Sequence, residues 1–254
     1  MQQSNDAFWK ALAAGLRARG IADVPERLNR QLPYGVDWND SCLFTQTCGY
    51  PIFTTSFGQF SIVGTPWYDV PGCAGPLHSS FIVVRDDATI VDISELRGLT
   101  FAINEPDSNS GMNLPRRLFA PHNRDGRFFA RVDISGSHEA SAALVASGQA
   151  HAAAIDCVTF AFLGRYRPAL ASRLRIIAQT PASPAPPLVT SKAMPAETVQ
   201  HLRDTLIDIL QDPGHTALCE SLFLSSVTDA DESSYEIVLT YERESVALGY
   251  PVLA

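Results

Sequence analysis

The sequence of 254 residues lacks the features that would place it in a membrane. No apolar run reaches the roughly 20 residues that a membrane-spanning helix needs. The first twenty residues do not read as a signal peptide either, because charged side chains such as Asp6, Lys10 and Arg17 interrupt an apolar pattern at helical spacing. We therefore expect no membrane insertion, and either a cytoplasmic protein or an exported one whose signal is absent from the sequence.

Basic side chains are also few. Lysine and arginine number 19 against 27 aspartate and glutamate, which gives a formal net charge of −8. This balance argues against a nucleic-acid-binding surface. It does not exclude an anionic ligand, because local dipoles rather than the total charge govern a closed pocket.

Paired cysteine motifs are absent as well. None of the five cysteines forms a C-x-x-C pair, so we expect no metal site and no cofactor. Cys48 and Cys73 lie in similar turns flanked by glycine and proline. A disulfide between them in an oxidising compartment and two buried free thiols are both open interpretations.

Strand-like and helix-like segments alternate along most of the chain, which predicts an α/β fold with largely parallel sheets. A stiff, proline-rich stretch at 178–187 suggests a crossing between two lobes, with a second crossing near 84–98. We expect one lobe to comprise residues 1–90 plus 185–254 and the other residues 91–184. After a long helix opened by Pro195, the chain is predicted to end in two helices, at about 216–224 and 235–248.

A polar turn directly follows the apolar strand 99–103. Ser108, Asn109 and Ser110 supply hydroxyl and amide donors there, and Gly111 lets the backbone approach a ligand closely. Free N–H groups at a helix start hold small oxyanions without a cationic side chain. The alternative is an ordinary helix N-cap, where serine and asparagine are common in any protein.

Two further polar turns, at 135–138 and 156–159, follow later strands. Because ligands bind beyond the carboxyl ends of strands in such sheets, we expect the three turns to lie together. His138, next to Ser137, can donate to an oxyanion or cap its own helix. Asp156 can accept from a cationic or protonated ligand group or cap the helix that follows it.

Candidate residues for the other wall of a cleft come from the first part of the chain. His78, with Ser79 and Ser80, begins a strand after a glycine- and proline-containing loop, and Gln46 follows an earlier short strand. An ordinary role in a solvated loop is the alternative for each of them.

These motifs resemble the phosphate/phosphite/phosphonate-binding family of ABC transporters over most of the chain. The resemblance is carried by Gly98-Leu99-Thr100-Phe101-Ala102, Ser108-Asn109-Ser110-Gly111, Gly136-Ser137-His138, Ala153-Ala154-Ile155-Asp156 and Gln46-Thr47-Cys48-Gly49-Tyr50-Pro51. It implies the two-lobed, type II periplasmic binding protein fold with two interlobe crossings, in which closure of the lobes clamps the ligand. Relatives in one sub-branch begin with a strand where this sequence opens on a helix, so we expect part of the first lobe's sheet and one wall of the cleft to be missing or replaced.

The resemblance also implies roles for individual residues. Ser108, Asn109 and Ser110 match the Ser-Thr-Ser-like turn that holds the phosphonate oxygens, and His138 matches a histidine that contacts the phosphonate. Asp156 matches an acidic residue that meets a ligand amine. His78 stands where better-known phosphonate binders have a tyrosine, and Asn109 replaces the central threonine of the turn, which keeps hydrogen-bonding capacity but changes the shape.

We therefore expect a monomeric, periplasmic solute-binding protein, not an enzyme, that passes a small oxyanion to an ABC transporter permease. A ligand-binding sensor without transport is one alternative. Another is an enzyme on the same fold, in which Cys48 or Cys157 pairs with His138 as thiol and imidazole.

Overall fold

The computed structural model describes residues 1–30 and 42–254. The α-helices are α1 (Gln2–Ala18), α2 (Leu114–Phe119), α3 (His138–Ala146), α4 (Cys157–Tyr166), α5 (Pro168–Ala171), α6 (Ala196–Gln211), α7 (Thr216–Ser221) and α8 (Ile237–Ala247). The strands are β1 (Thr45–Gln46), β2 (Phe60–Tyr68), β3 (Leu77–His78), β4 (Ser80–Arg85), β5 (Thr100–Ile103), β6 (Arg131–Ile134), β7 (Ala152–Asp156), β8 (Leu174–Gln179), β9 (Ser183–Pro184), β10 (Leu188–Ser191) and β11 (Leu224–Thr228). Short 3-10 helices cover Pro51–Phe53, Ile93–Leu96, Ala120–His122, Pro213–His215 and Glu232–Tyr235, and a π-helical turn covers Asn109–Asn113.

A five-stranded sheet in the order β6-β5-β7-β4-β8 contains the strands that precede the predicted polar turns. Strand β5 runs parallel to β6 and β7, so these three strands end at the same edge. Strand β4 lies in the interior of the sheet, antiparallel to β7 and β8, and its apolar run Phe81–Val84 is buried. A nearly continuous apolar sequence is what a strand covered on both faces requires.

A four-stranded sheet in the order β1-β10-β2-β11 forms from distant parts of the chain. The long strand β2 pairs with β10 along its first half and with β11 along its second half. All three pairings in this sheet are antiparallel. The expectation of largely parallel sheets is therefore wrong here, because the partners of β2 come from the later half of the chain and run in the opposite direction.

The chain passes between the two sheets at the short antiparallel pair of β3 and β9, where His78 lies opposite Ser183. Because β4 pairs within the five-stranded sheet, the change of sheet falls just before residue 80. The division into lobes at residues 1–90 plus 185–254 and 91–184 stays a prediction.

The last part of the chain differs from the expected pattern of two helices. The segment 216–224 is helical only as far as Ser221, and it leads into the unpredicted strand β11. Helix α8 packs against α2, and Val238, Tyr250 and Leu253 join the apolar core on one face of the five-stranded sheet. That core also contains an aromatic group made of Phe101, Phe119, Phe128 and Phe129. The α/β fold is confirmed, and its C-terminal segment completes the core of the five-stranded sheet.

Candidate ligand-binding site

The predicted polar turn after β5 is the π-helical turn Asn109–Asn113. Ser108 is its N-cap, and the Ser108 hydroxyl accepts the N–H of Gly111 at 3.0 Å. The backbone carbonyl of Ser108 accepts from the N–H groups of Met112 and Asn113 at 3.2 and 3.0 Å. Ser108 therefore fulfils the alternative interpretation of a helix cap, and the turn is held in shape from within.

Gly111 is required at this turn by close packing. A Cβ atom built on it would lie 1.7 Å from Asn104 Oδ1 and 3.3 Å from His138 Cε1. The Asn104 side chain is thus pressed against the Gly111 backbone, and its Oδ1 is buried with no hydrogen-bond partner among the described residues. Only glycine lets the turn come this near to the neighbouring strand ends.

Ser110 and His138 meet across the strand ends, as the parallel arrangement of β5 and β6 predicts. Ser110 Oγ lies 2.9 Å from His138 Nε2, and His138 Nδ1 lies 3.1 Å from the carbonyl oxygen of Ala154. A carbonyl only accepts, so Nδ1 carries the proton and donates to it. Burial lowers the pKa of His138, so the ring is neutral near pH 7, and its Nε2 accepts the hydroxyl proton of Ser110.

His78 and Asp156 form a buried ion pair at the end of β7. Nδ1 of His78 donates to Oδ2 of Asp156 at 2.6 Å. Burial lowers the pKa of His78, but the hydrogen bond to Asp156 and the charge of its carboxylate outweigh burial, so the pKa of His78 is raised. Burial raises the pKa of Asp156, yet the hydrogen bond and the charge of His78 bring it below its ordinary value.

The second nitrogen of His78 sets this pair apart. Nε2 is buried and has no hydrogen-bond partner among the described residues. In the protonated ring both nitrogens are donors, and a buried donor without a partner carries a desolvation cost of about 1–3 kcal/mol. The pair therefore offers one positively polarised N–H group that no described residue uses.

Two of the predicted residues, Asp156 and Ser137, use their side chains to cap helices. Asp156 Oδ1 accepts from the N–H of Thr159 at 2.8 Å, so Asp156 also caps α4. The Ser137 hydroxyl caps α3 by accepting from the N–H of Ala140 at 3.1 Å, so it is not directed at Ser110 or His138 by any hydrogen bond. The capping alternative is therefore realised for Asp156 but is wrong for His138, because α3 is capped by Ser137 and His138 is its first residue.

Two other predicted residues connect the site to the first sheet and to the crossing. Asn109 Nδ2 donates to the hydroxyl of Ser183 in β9 at 2.8 Å. Gln46 is exposed, and its amide donates to Tyr68 Oη at 2.9 Å and to the carbonyl of Pro186 at 2.8 Å. Burial raises the pKa of Tyr68 to about 12, and the charge of Asp156 contributes to that shift.

Of the two sequence interpretations of Cys48 and Cys73, the structure agrees with free thiols, although both are only partly buried, and it does not join them in a disulfide. All five are free thiols, and the sulfur of Cys73 lies 3.4 Å from that of Cys157 rather than next to Cys48. Cys48 instead lies at the turn, where it hydrogen bonds with the Ser108 side chain and the Asn109 backbone. Similar flanking residues suggested a pair of Cys48 and Cys73, but the cysteine in contact with Cys73 is Cys157.

One group of side chains has the composition of a metal site. Ligand atoms of His78, Asp156 and Cys157 lie within 4.8 Å of one another, and all three residues are buried. The hydrogen bond with Cys73, burial and the charge of Asp156 all raise the pKa of the Cys157 thiol. A neutral thiol beside an already formed ion pair is a poor metal ligand, because the thiolate is the form that binds. The expectation of no metal stays a prediction.

Sequence reasoning missed three residues that contact the predicted site residues: Ser183, Tyr68 and Asn104. Ser183 and Tyr68 come from strands on either side of the crossing, far from the turn in sequence. Their positions depend on the pairing of β3 with β9 and on the course of β2, which no local pattern indicates. Asn104 directly follows β5, and its place in the polar run after a buried strand was a usable signal.

Comparison with known proteins gives the family. The sequence profile described as "ABC transporter, phosphonate, periplasmic substrate-binding protein" matches residues 58–235, more than half of the chain. The chain therefore belongs to the family of periplasmic substrate-binding proteins of phosphonate ABC transporters. Members of this family bind a phosphonate and work with transporter permeases.

One curated relative and two solved structures are similar to this chain. The phosphonates-binding periplasmic protein of Escherichia coli is 27% identical over 152 residues, which cover 58% of this chain and 45% of that protein. XAC2383 from Xanthomonas citri, solved with ATP, has a TM-score of 0.70 at 17% identity, covering 98% of this chain and 95% of its own. PhnD1 from Prochlorococcus marinus, solved with methylphosphonate, has a TM-score of 0.65 at 15% identity, covering 93% and 82%. These likenesses confirm the type II periplasmic binding protein fold. In the described part of this chain, no helix is both long enough and apolar enough to cross a membrane.

Proposed function

We propose that this chain is a periplasmic, monomeric solute-binding protein that captures a small oxyanion of the phosphonate class and passes it to an ABC transporter permease. Membership of the family supports the transport role. The observation that carries the ligand class is the meeting of Ser110, His138 and the His78–Asp156 pair at one edge of the five-stranded sheet, with His78 Nε2 left without a partner among the residues that the structure describes. Several matched donors are needed to replace the hydration of an oxyanion.

The binding cleft in this proposal lies between two lobes that meet at the β3–β9 pair. The lobes correspond broadly to residues 1–90 plus 185–254 and 91–184, with two changes. The boundary moves to just before β4, because β4 pairs within the five-stranded sheet. Helix α8 and the residues after it join the second lobe, because they pack into the core of that sheet. His78 and Ser183 stand on the crossing itself. Since Ser110 and His78 are buried, a ligand reaches them only when the lobes separate.

Within the site we assign direct contact to Ser110, His138 and His78, and shaping roles to the turn. Ser108, Asn109 and Gly111 set the geometry of the turn. Ser137 holds the start of α3, from which His138 projects. Gln46 acts from the first sheet through its hydrogen bond to the hydroxyl of Tyr68.

The proton arrangement suggests which form of the ligand binds. Ser110 donates its only hydroxyl proton to Nε2 of neutral His138. When that hydroxyl turns to donate to a ligand oxygen, Nε2 needs another donor. A phosphonate that retains one proton supplies it from its own hydroxyl, whereas a dianion binds only if His138 takes up a proton. The site therefore favours the singly ionised ligand.

Asp156 has a role in this scheme even though both of its oxygens are engaged. Its carboxylate raises the pKa of His78, which keeps a proton on that ring. A ligand amine would have to share Oδ2 with His78. We therefore propose that Asp156 acts mainly by holding His78 protonated, and that a cationic ligand tail is a secondary preference.

Binding without chemical change is the proposal for this chain. The enzyme alternative requires Cys48 or Cys157 to pair with His138, but both ring nitrogens of His138 bond to other atoms. Burial also raises the pKa of Cys48, and the Cys157 pKa is raised as well. A thiol with a raised pKa is a poor nucleophile.

The test is calorimetric titration after a thermal-shift panel of phosphate, phosphite, methylphosphonate, an aminoalkyl phosphonate, sulfate and nitrate. Ligand binding to the native state raises the melting temperature. Ser110→Ala should then weaken binding of the best ligand at least about tenfold, because a hydrogen bond to a charged group is worth about 1.5–3 kcal/mol. Ser147→Ala, which removes an exposed hydroxyl bonded to Leu144, is the matched control and should leave affinity unchanged. Equal affinity in Ser110→Ala and wild type would exclude this turn as the binding site of the ligand.

A further inference from the structure

Cys73 and Cys157 are in contact although 84 positions separate them in the chain. Cys73 is partly buried in the loop between β2 and β3, and Cys157 is the fully buried first residue of α4. Their sulfur atoms are 3.4 Å apart. A disulfide bond is about 2.05 Å long, so joining them requires the sulfurs to approach by only about 1.4 Å.

The two backbones that carry these thiols are held together by close packing. A Cβ atom at Gly72 would lie 2.7 Å from Cys157 Cβ, so the loop passes directly over the start of α4. The Cys73 N–H donates to the Val70 carbonyl at 3.1 Å, and the Cys157 N–H donates to the Ser79 carbonyl at 3.0 Å. The contact between the two sulfurs is therefore held by the packing of the loop on the start of the helix.

We propose that Cys73 and Cys157 form a disulfide bond in the oxidising compartment in which this family works. The compartment follows from the proposed function; the pairing itself follows from the contact between the two sulfurs. In the periplasm, thiols exposed to a disulfide-bonded carrier become oxidised.

The reaction is a pair of thiol–disulfide exchanges. The thiolate of the more accessible Cys73 attacks one sulfur of the carrier's disulfide and releases the other carrier sulfur as a thiolate. Cys157 then loses its proton and attacks Cys73 Sγ, which releases the second carrier sulfur. Two protein thiols lose two electrons and two protons, and the carrier disulfide is reduced to two thiols. Because burial helps to raise the pKa of Cys157, Cys73 is the first to react.

This bond would act on the candidate ligand site. Cys157 is adjacent in sequence to Asp156, and the Cys73 loop leads directly into His78. The disulfide, residues 73–78, the His78–Asp156 hydrogen bond and residues 156–157 would therefore form one short ring, and the cross-link would hold both members of that hydrogen bond in position. Reduction should loosen this pair and lower the melting temperature of the ligand-free protein.

The first test is a count of thiols in the full chain after incubation with oxidised glutathione. The protein is then unfolded in urea with a chelator, so that neither burial nor a bound metal hides a thiol. We expect three reactive thiols of the five in the sequence, and five after reduction. Peptide mapping should find Cys73 joined to Cys157. Five reactive thiols before reduction, or a bond from Cys73 to Cys48, would overturn the proposal.

The second test separates a covalent bond from simple packing. Cys73→Ala, Cys157→Ala and the double variant should all melt about 10 °C below the oxidised wild type, as closing a loop of this length predicts. A reducing agent should lower the wild type by a similar amount and leave the three variants unchanged. Cys219→Ala, which removes a buried thiol elsewhere, should keep the full response to the reducing agent. A wild type that does not respond to reduction refutes the bond, and no readout here depends on phosphonate binding.

Discussion

Replacing Asp156 by asparagine tests the electrostatics of the site with little change in shape. Asparagine caps helices as well as aspartate does, so the bond from the Thr159 N–H should survive. The side-chain amide can also still meet His78 Nδ1, with the direction of the hydrogen bond reversed. What the substitution removes is the negative charge that keeps a proton on His78.

The sign of the pH dependence follows from the two pKa shifts. The pKa of His78 is raised in the folded protein, so its contribution is complete below about pH 6.5 and is lost as the pH rises through the folded value. The pKa of Asp156 is lowered, so its contribution is complete above about pH 3.9 and is lost as the pH falls through the folded value. The pair therefore stabilises the wild type most between about pH 4 and pH 6.5.

In Asp156→Asn the effect on His78 changes sign. Burial is the strongest influence on its pKa and lowers it, and the carboxylate that outweighs burial is gone. The folded variant then resists protonation that the unfolded chain accepts, so acid destabilises it below about pH 6.5. The variant should be less stable than the wild type at pH 5, and the difference should narrow towards pH 8.

The size of the difference at pH 5 should be about 1.5–3 kcal/mol, the value of a hydrogen bond to a charged group. At about 2–4 °C per kcal/mol for a chain of this size, the melting temperature should fall by about 3–12 °C. Urea unfolding followed by tryptophan fluorescence at pH 5, 6, 7 and 8 measures it. Asp212→Asn is the matched control, since Asp212 makes the same kind of pair with His215, at 2.9 Å, on the surface. A difference that is constant with pH, or that widens towards pH 8, would refute the reasoning.

Two other substitutions test the packing around the site. Gly111→Ala should destabilise the protein by more than about 2 kcal/mol in urea unfolding and abolish ligand binding, because its new methyl group overlaps Asn104 Oδ1. Gly164→Ala, in a helix with open space around it, is the control and should instead stabilise the protein by about 0.5–1 kcal/mol. If the two substitutions changed the stability equally, the predicted overlap between residue 111 and Asn104 would be contradicted. Tyr235→Phe should cost about 1–3 kcal/mol, because it leaves the buried carbonyl of Ala185, now bonded at 2.8 Å, without its donor. If Tyr235→Phe unfolds at the same urea midpoint as the wild type, the prediction is wrong and water has replaced the Tyr235 hydroxyl as the donor to Ala185.

The parts of the fold that local patterns encode were predictable from sequence. Strands β4, β5 and β7 are short apolar runs bounded by polar turns, and the bounds of β5 agree with the predicted strand 99–103 to within one residue. The meeting of Ser110 and His138 followed from the same information, because parallel strands end at one edge.

The other half of the site depends on strand pairings that no local pattern contains. The His78–Asp156 pair and the Cys73–Cys157 contact both exist because β4 runs antiparallel to β7, with Ser80 opposite Asp156. Alternation of strands and helices favoured parallel neighbours, so this register was not foreseen. The short strand β11 was missed for a related reason: two serines interrupt its apolar pattern, and its pairing with β2 supplies the stability that its sequence lacks.

The packing of the C-terminal segment on the five-stranded sheet has a consequence for the order of folding. Val238, Tyr250 and Leu253 complete a core whose other members lie mostly between residues 82 and 154. Arg116, in α2, is likewise bonded to the carbonyl of Pro251 at 2.8 Å. During synthesis, the strands of this sheet leave the ribosome before the residues that cover them, so the sheet cannot close its core as each strand appears. An apolar face that includes Phe101 and Phe119 therefore stays exposed until α8 and the residues after it have been synthesised. Over that interval we expect the growing chain to bind a chaperone that shields apolar surface.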